Sequence, residues 1–463
     1  YYDHNFITVV EGLTDHIPHN QSNTIRQRLW RIRAKQVILA TGAIERPLLF
    51  SNNDKPGIML ASSVSTYLNR YSVKPGSSAV IFTNNDSAYA TALDLNNAGV
   101  NVEAIVDLRP RPRETISDLI TNIGIPVFDE HTIVNVKGRT RVDKVQIMAI
   151  DKPGESVIGK KHEIKCDLVA VSGGWNPAVH LHTQSGGTLK FDEVFSCFVP
   201  SEYMQEEISV GSSNGIFTLG GCLMDGANAG ANAAHKAGFS TESPPTHAIA
   251  SSNTPISKQR DLWILPSPDS TGHGSKKFVD LQTDTTIDDL QIATKEGYES
   301  IEHIKRYTTL GMGTDQGKSG NVLGIGVVSR IQSKAMSSIG TTTFRPPYTP
   351  VTYGTIAGRS IGPFFDPVRK TPIHDWHLEN GALFENVGQW KRAWHYPKQG
   401  ESFQETINRE SLAARTKLAI TDASTLGKID IQGPDASQFL DRIYTNSWLK
   451  LAIGKCKYGL MLV

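Results

Sequence analysis

The stretch VILATGAIERPLLF, Val37 to Phe50, begins as an apolar strand and runs into Ala40-Thr41-Gly42. Small residues at the end of a strand let backbone approach a ligand where a larger side chain would clash. An ordinary strand-to-loop turn has the same composition, so both readings stand at this point. On either side of it, Tyr1 to Phe239 alternates β-rich runs with helical stretches, the other runs being AVIFTN (Ala79–Asn84), NVEAIVD (Asn101–Asp107) and DLVAVSGG (Asp167–Gly174). Such alternation predicts an α/β fold with parallel, doubly wound sheets.

Two further segments bear on ligands. Ser78 to Asp107 is a β-α-β unit that ends in an acid where a Rossmann unit places its ribose-binding carboxylate. Its turn, however, reads TNNDSAYA, Thr83 to Ala90, without the glycines that let backbone fold against a pyrophosphate, and Asp86 would repel one at the helix start. This unit is predicted to keep the fold without a dinucleotide, and Asp107 to be a solvated strand-end acid. The second segment is ISVGSSNGIFTLGGCLMDGANAGANAA, Ile208 to Ala234. A strand reaches Gly211-Ser212, and a helix from about Gly220 carries Gly221, Ala227, Gly230, Ala231 and Ala234 on its close-packing faces. Small residues there suit an anion at the helix N-terminus and tight helix-to-sheet packing equally.

With 463 residues the chain exceeds one ordinary core, so several units are expected. Hydrophobic residues at 39%, charged residues at 20%, 40 Gly and 23 Pro describe a loop-rich globular protein. A formal net charge of +1 and the lack of a basic stripe exclude a general nucleic-acid binder. Cys166, Cys197, Cys222 and Cys456 form no CxxC pair, which points to reduced thiols and to neither zinc nor a disulfide framework. No apolar run reaches the roughly 18 residues of a membrane span, and the sequence predicts a cytoplasmic protein without a membrane partner. It opens at Tyr1 without Met and closes in the strand-like YGLMLV, so an internal piece of a longer chain is expected. Ser240 to Ser275, rich in Ser, Thr, Pro and Gly, is predicted to be a linker; a helical segment follows from Lys276 to about Leu323.

The ATG loop, the inserted second nucleotide-type unit, the SGGWNP loop and the VGSSNG strand with its small-residue helix resemble the two-dinucleotide-binding-domain flavoproteins, without their leading GxGxxG strand. YYDHNFITVVEGLTDH (Tyr1–His16), RAKQVILATGAIERPLLFSNNDKPGIMLA (Arg33–Ala61), RYTTLGMGTDQGKSGNV (Arg306–Val322) and TTTFRPPYTPV (Thr341–Val351) resemble the alpha subunits of heterotetrameric, folate-linked sarcosine oxidases. FVDLQTDTTIDDL (Phe278–Leu290) and GMGTDQGKSG (Gly311–Gly320) are similar to a [2Fe-2S] domain in which four cysteines hold the cluster. Asp280, Gln282, Asp315 and Gly320 stand at the ligand positions, and none is a thiol, so no metal is expected there. Arg415 to Val463 resembles the opening of the aminomethyltransferase (glycine cleavage T-protein) family. There Gly427 would turn between strands, Gly433-Pro434 would end one, and Ala436 to Ile443 would pack a helix through Phe439 and Leu440.

The resemblance implies an incomplete NAD-binding domain at 1–75 and 160–240, an inserted nucleotide-type domain at 76–159, a linker at 241–275, a cluster-less helical module at 276–340 and a truncated folate domain at 341–463. It implies a structural, non-redox NAD on Ala40, Thr41, Gly42, Gly211, Ser212, Phe217 and Leu219, tetrahydrofolate at the C-terminal domain, and FAD and FMN in a partner beta subunit, with gamma and delta subunits completing the complex. The implied reaction converts sarcosine, tetrahydrofolate and oxygen to glycine, 5,10-methylenetetrahydrofolate and hydrogen peroxide. No residue is assigned a catalytic role; His374-Asp375-Trp376-His377 is expected to be packed, since metal ligation would need further ligands nearby. An opine or amino-acid dehydrogenase-type flavoprotein subunit and a non-catalytic NAD-binding scaffold are the alternatives.

Overall fold

A computed structural model describes residues 1–17, 25–110, 120, 122–239, 258–268, 276–359, 362–363 and 366–461. The chain forms two compact units, Tyr1–Ile356 and Ala357–Val463.

The first unit is built on a five-stranded parallel sheet in the order Ile58–Leu60, Leu168–Ser172, Ser78–Thr83, Asn101–Asp107, Val127–Asp129. Its central strands are apolar on both faces, as strands covered from both sides must be. Ala79, Ile81, Leu168 and Ala170 face a layer that includes Val64 of the helix Ala61–Tyr71 and Ala88, Ala92 and Leu95 of the helix Ser87–Asn97. Val80, Phe82, Val169 and Val171 face the opposite way, onto Ile133, Val136, Val145 and Ile147 of a three-stranded antiparallel sheet, His131–Lys137, Lys144–Ile150 and Val157–Lys165. The two-residue period of a strand thus sorts each side chain to one of two cores.

Beside this body lies a parallel strand pair, Val37–Leu39 and Glu207–Ser209, followed by the helix Leu219–Lys236. The small residues of that helix do not line a closed interface. Among its residues only Ala229 is buried, Ala227 is exposed, and a Cβ at Gly226 or Gly230 would meet nothing within 4 Å. The expected close-packing faces are therefore open; Gly221 is the exception, since a Cβ there would stand 2.7 Å from Ile216 Cγ2.

The expected linker lies largely outside the described residues. Its residues 258–268 form no helix or strand, yet Trp263 and Leu265 are buried, each in a different core cluster. Next come a short hairpin, Phe278–Asp280 with Thr285–Thr286, and the helices Ile287–Lys295, Ile301–Thr308 and Asn321–Gln332 around Leu290, Ile304, Leu310 and Val328. The first of these helices starts with a capping box in which the Thr286 hydroxyl and the Asp289 carboxylate satisfy each other's backbone amides.

In the second unit a three-stranded sheet (Arg369–Lys370, Trp390–His395, Leu383–Val387) is accompanied by the helices His374–Glu379, Phe403–Thr416 and Ala436–Ile443. The strands expected around Gly427 and in YGLMLV do not form; beyond Thr416 the described backbone pairs only at the single bridge Tyr444–Met461. Nor does the helix Ala436–Ile443 pack through Phe439, which is 52% exposed. A strand or an amphipathic helix persists in a fold by burying one face on another layer, and no residue of the helix Ala436–Ile443 is buried.

Among the described residues no helix is long and apolar enough to cross a membrane.

Candidate functional site

The seven residues singled out for a dinucleotide fall at one end of the open strand pair. The two strands run parallel with Leu39 opposite Ser209, so Ala40–Gly42 and Gly211–Ser212 both leave from carboxyl ends. That end is where ligands sit in open α/β sheets. Val210 N donates to Leu39 O at 3.0 Å and Ser213 Oγ to the same carbonyl at 2.9 Å, locking the two loops together. Gly42 has φ +77° and Gly211 φ +63°, conformations that L side chains adopt only at a cost, and a Cβ at Gly42 would meet nothing within 4 Å. Glycine is thus required at Gly42 by the backbone, while the space beside it is open.

Much of the polar chemistry of these loops is committed internally. Thr41 Oγ1 donates to Ala178 O at 2.7 Å, and Gly211 N donates to Asp225 Oδ2 at 2.8 Å. Asp225, from the second turn of the helix Leu219–Lys236, was not singled out from the sequence; its place about one turn past a glycine-rich loop was the available signal. Thr218 caps this helix by accepting from Gly221 N. Phe217 packs edge-on against Phe195 with ring centres 5.1 Å apart, and Leu219 is 77% exposed. The structure therefore brings Ala40–Gly42 and Gly211–Ser212 together directly, with Phe217 and Leu219 following on the same segment.

Behind the Glu207–Ser209 strand sits a fully buried pair. His182 Nδ1 and Glu207 Oε1 are 2.7 Å apart, and His182 Nε2 lies 2.9 Å from Thr188 O. The carbonyl can only accept, so Nε2 carries a proton, and the Nδ1–Glu207 contact needs one more. Burial alone would lower the His182 pKa, but the hydrogen bonds to Glu207 and Thr188, together with the Glu207 charge, raise it above 6.5. The pair ties the loop-bearing strand to the helix His180–Gln184.

The inserted unit corrects one expectation. Asp107 is not solvated: its exposure is 0%, and it accepts from Arg109 Nε at 3.1 Å, Arg109 Nη2 at 2.8 Å and Tyr89 Oη at 2.9 Å. Arg109 Nη1 also lies 2.8 Å from Asp86, so the residue expected to repel a phosphate faces a guanidinium. A buried carboxylate requires such a partner, and here the sequence supplies it two residues further on.

The positions matching iron–sulfur ligands are knitted together by hydrogen bonds. Asp280 Oδ2 accepts from Gly311 N at 2.8 Å, Gln282 Oε1 from Asp315 N at 3.0 Å, and Asp315 Oδ1 from Gly317 N at 2.9 Å; a Cβ at Gly320 would touch Val279 O at 3.0 Å. Among the described residues no group of three or more His, Cys, Asp or Glu could hold a metal ion. In the second unit His374 packs at a tilt against Phe384 with ring centres 4.5 Å apart, and His377 bridges Tyr396 and Asp422, the latter at 3.0 Å. Both histidines are buried and packed.

Residues 274–359 match the sarcosine oxidase A3 domain and residues 373–463 the GCVT N-terminal domain. The sarcosine oxidase subunit alpha of Corynebacterium sp. (strain P-1) is 41% identical over 99% of this chain and 48% of that protein. The chain is a homologue of the sarcosine oxidase alpha subunits. That of Rhizobium meliloti (strain 1021) is 38% identical over 100% of this chain and 45% of its own length, so this homologue spans about half the length of the curated relatives it matches. Among solved structures, L-proline dehydrogenase from P. horikoshii superimposes with a TM-score of 0.51 at 23% identity, covering 71% of this chain and 60% of that one. At that identity the likeness speaks to the α/β fold alone.

Proposed function

We propose that this chain is the nucleotide-holding part of a sarcosine oxidase alpha subunit, and that the complete cytoplasmic enzyme demethylates sarcosine oxidatively to glycine, passing the one-carbon unit to tetrahydrofolate and reducing oxygen to hydrogen peroxide. The observation that carries this reading is the similarity to alpha subunits along the whole chain, at 38% to 42% identity.

Ala40–Gly42, Gly211, Ser212, Phe217 and Leu219 would hold a structural NAD. The open side of Gly42 and the paired strand ends fit a ligand that backbone must approach closely. This chain's own part is to bind and orient. The Gly211 amide is fixed by Asp225 and the Thr41 hydroxyl by Ala178, so the loops keep one shape as ligand arrives. FAD and FMN, in a beta subunit, would supply the electron-accepting chemistry when bound. Residues 373–463 would contribute to the tetrahydrofolate site, and gamma and delta subunits would complete the assembly.

The test is to co-express the full-length gene with its partner subunits, extract the nucleotides, and assay peroxide and methylenetetrahydrofolate on sarcosine. The expected result is about one NAD per alpha subunit, its absorbance unchanged during turnover, and activity that needs the flavin subunits. Bleaching or reduction of that NAD by sarcosine, or an assembly without nucleotide, would overturn the proposal.

A further inference from the structure

A separate small cavity lies between the antiparallel pair Ala43–Glu45 with Trp175–Pro177 and the start of the helix Asn321–Gln332. Its volume is about 50 Å³. At roughly 10–15 Å³ per water position, that admits about three to five waters, or one ligand of about four or five non-hydrogen atoms. None of the seven residues assigned to the dinucleotide loops lines it. Leu189, Phe198, Ile325 and Phe344 make its walls largely apolar.

Three polar side chains on its lining have chemistry to spare. Asn176 is 6% exposed; its Oδ1 accepts from Arg46 Nη1 at 2.8 Å, which fixes the amide orientation and leaves Nδ2, a donor, without a partner. Arg46 is itself buried and held by the carbonyls of Gly173 and Ser196 and by Gln259, so it cannot turn the amide over. His180 Nδ1 is buried and also unpartnered, its ring stacked at 3.6 Å on Tyr348. Burial and then the Lys318 charge push His180 down to about 4, so the ring is neutral near pH 7 and able to donate from one nitrogen. The Lys318 ammonium lies 4.4 Å from the centre of the Tyr348 ring and has no carboxylate partner among the described residues. The nearby Asp315 is already occupied by Gly317 N and Ser319 Oγ. Asn321 Oδ1 plays no part, for it faces Gly311 and Gly317, where the missing Cβ atoms make room for it.

A buried amide donor, a neutral imidazole, a cation and a helix N-terminus around an apolar hollow favour negative charge on a short apolar body. We propose that this cavity binds a small aliphatic monocarboxylate, with its carboxylate on Asn176 Nδ2 and Lys318 and its alkyl part against Phe198 and Ile325. A buried unpaired donor costs stability unless a ligand accepts from it, and a hollow of about 50 Å³ suits a carboxylate with a short alkyl group.

Saturation-transfer NMR and calorimetry on the full chain at pH 7, with sodium acetate as probe and inorganic phosphate as comparator, test this. Saturable acetate binding is expected, with phosphate weaker. Asn176→Asp keeps the acceptor for Arg46 while turning the free donor into an acceptor, and it should weaken acetate by tenfold or more. Lys318→Met should do so too, whereas Lys318→Arg should stay within about threefold. Should Asn176→Asp unfold, the two Lys318 variants decide. Absence of saturable acetate binding, phosphate binding tighter than acetate, or affinity unchanged in Lys318→Met would overturn the assignment.

Discussion

Two parallel strand pairs in the first unit have the same topology at their carboxyl ends and opposite chemistry. Where Val37–Leu39 pairs with Glu207–Ser209, the chain leaves through glycines of positive φ, and Ile38 and Ile208 stay 37% and 39% exposed. Where Ser78–Thr83 pairs with Asn101–Asp107, the exits are sealed. Asp107 is consumed by Arg109 and Tyr89, and Asn85 Nδ2 donates to Ser172 Oγ at 2.9 Å. A strand end becomes a ligand shelf or a structural joint according to whether its polar groups find partners within the fold, and topology alone does not decide which.

The largest effect expected from this contrast follows Asp107→Ala. It takes from the buried Arg109 cation its fully buried partner and leaves it only Asp86, and losing one partner of a buried pair costs about 3–5 kcal/mol. Hydrogen exchange should show the strands Ser78–Thr83 and Asn101–Asp107 opening at least a hundredfold more often, while Val37–Leu39 is little changed. If exchange rises less than tenfold, Asp107 is no joint. Below that comes a pH effect on the open pair, carried by His182. Its folded pKa is raised above 6.5 by Glu207 and Thr188 against the pull of burial, so its contribution is full below pH 6.5 and is lost as pH rises through the raised value. Protection of the Glu207–Ser209 strand should therefore decline over that window, and His182→Gln should flatten the decline. A protection profile that rises with pH would contradict the protonated pair.

Gly42→Ala and Gly99→Ala both place a side chain at positive φ, +77° and +70°, with no neighbouring atom closer than 3.5 Å, so each should cost about 1–2 kcal/mol of backbone strain. The two should nevertheless part in function. Gly42→Ala should lower the NAD retained by the assembled enzyme, and Gly99→Ala, in the sealed region, should leave it unchanged. Equal retention would place the dinucleotide elsewhere.

Much of this architecture was visible in the sequence because strand period and apolar content are local. Val80 and Phe82 alternate with Ala79 and Ile81 between two cores, as a doubly covered strand requires. Asp107 was misjudged although its signal was present: residues two apart in extended chain share a face, and Arg109 follows at that spacing. Arg46 left no comparable trace, for its partners Gly173, Asn176, Ser196 and Gln259 come from distant segments. The open faces of the helices Leu219–Lys236 and Ala436–Ile443 were illegible for another reason. Their residues record a capacity to pack, and whether a layer covers them is a property of the surrounding fold.

The smallest effect separates charge from shape in the sealed region. Asp86→Asn removes the carboxylate that the sequence suggested would repel a phosphate. Asn keeps a side-chain oxygen to accept from Arg109 Nη1, and Arg109 keeps Asp107, so the change should cost no more than about 1 kcal/mol. If repulsion alone kept a dinucleotide away, this variant would now bind one. It should not, because the helix start is already occupied. Asn85 Oδ1 accepts from Ser87 N at 3.1 Å and from the Ser87 hydroxyl, and Thr83 Oγ1 accepts from Asn85 N at 3.0 Å. The amides a pyrophosphate would use are spent on side chains of the loop itself, and the loop lacks the glycines that would let a ligand approach. Hydrogen exchange of the full-length Asp86→Asn enzyme, stripped of nucleotide and titrated with NAD, should show protection at Leu39–Gly42 and none at Thr83–Ala90. New protection at Thr83–Ala90 would mean that charge, and not the spent amides, had kept the inserted unit empty.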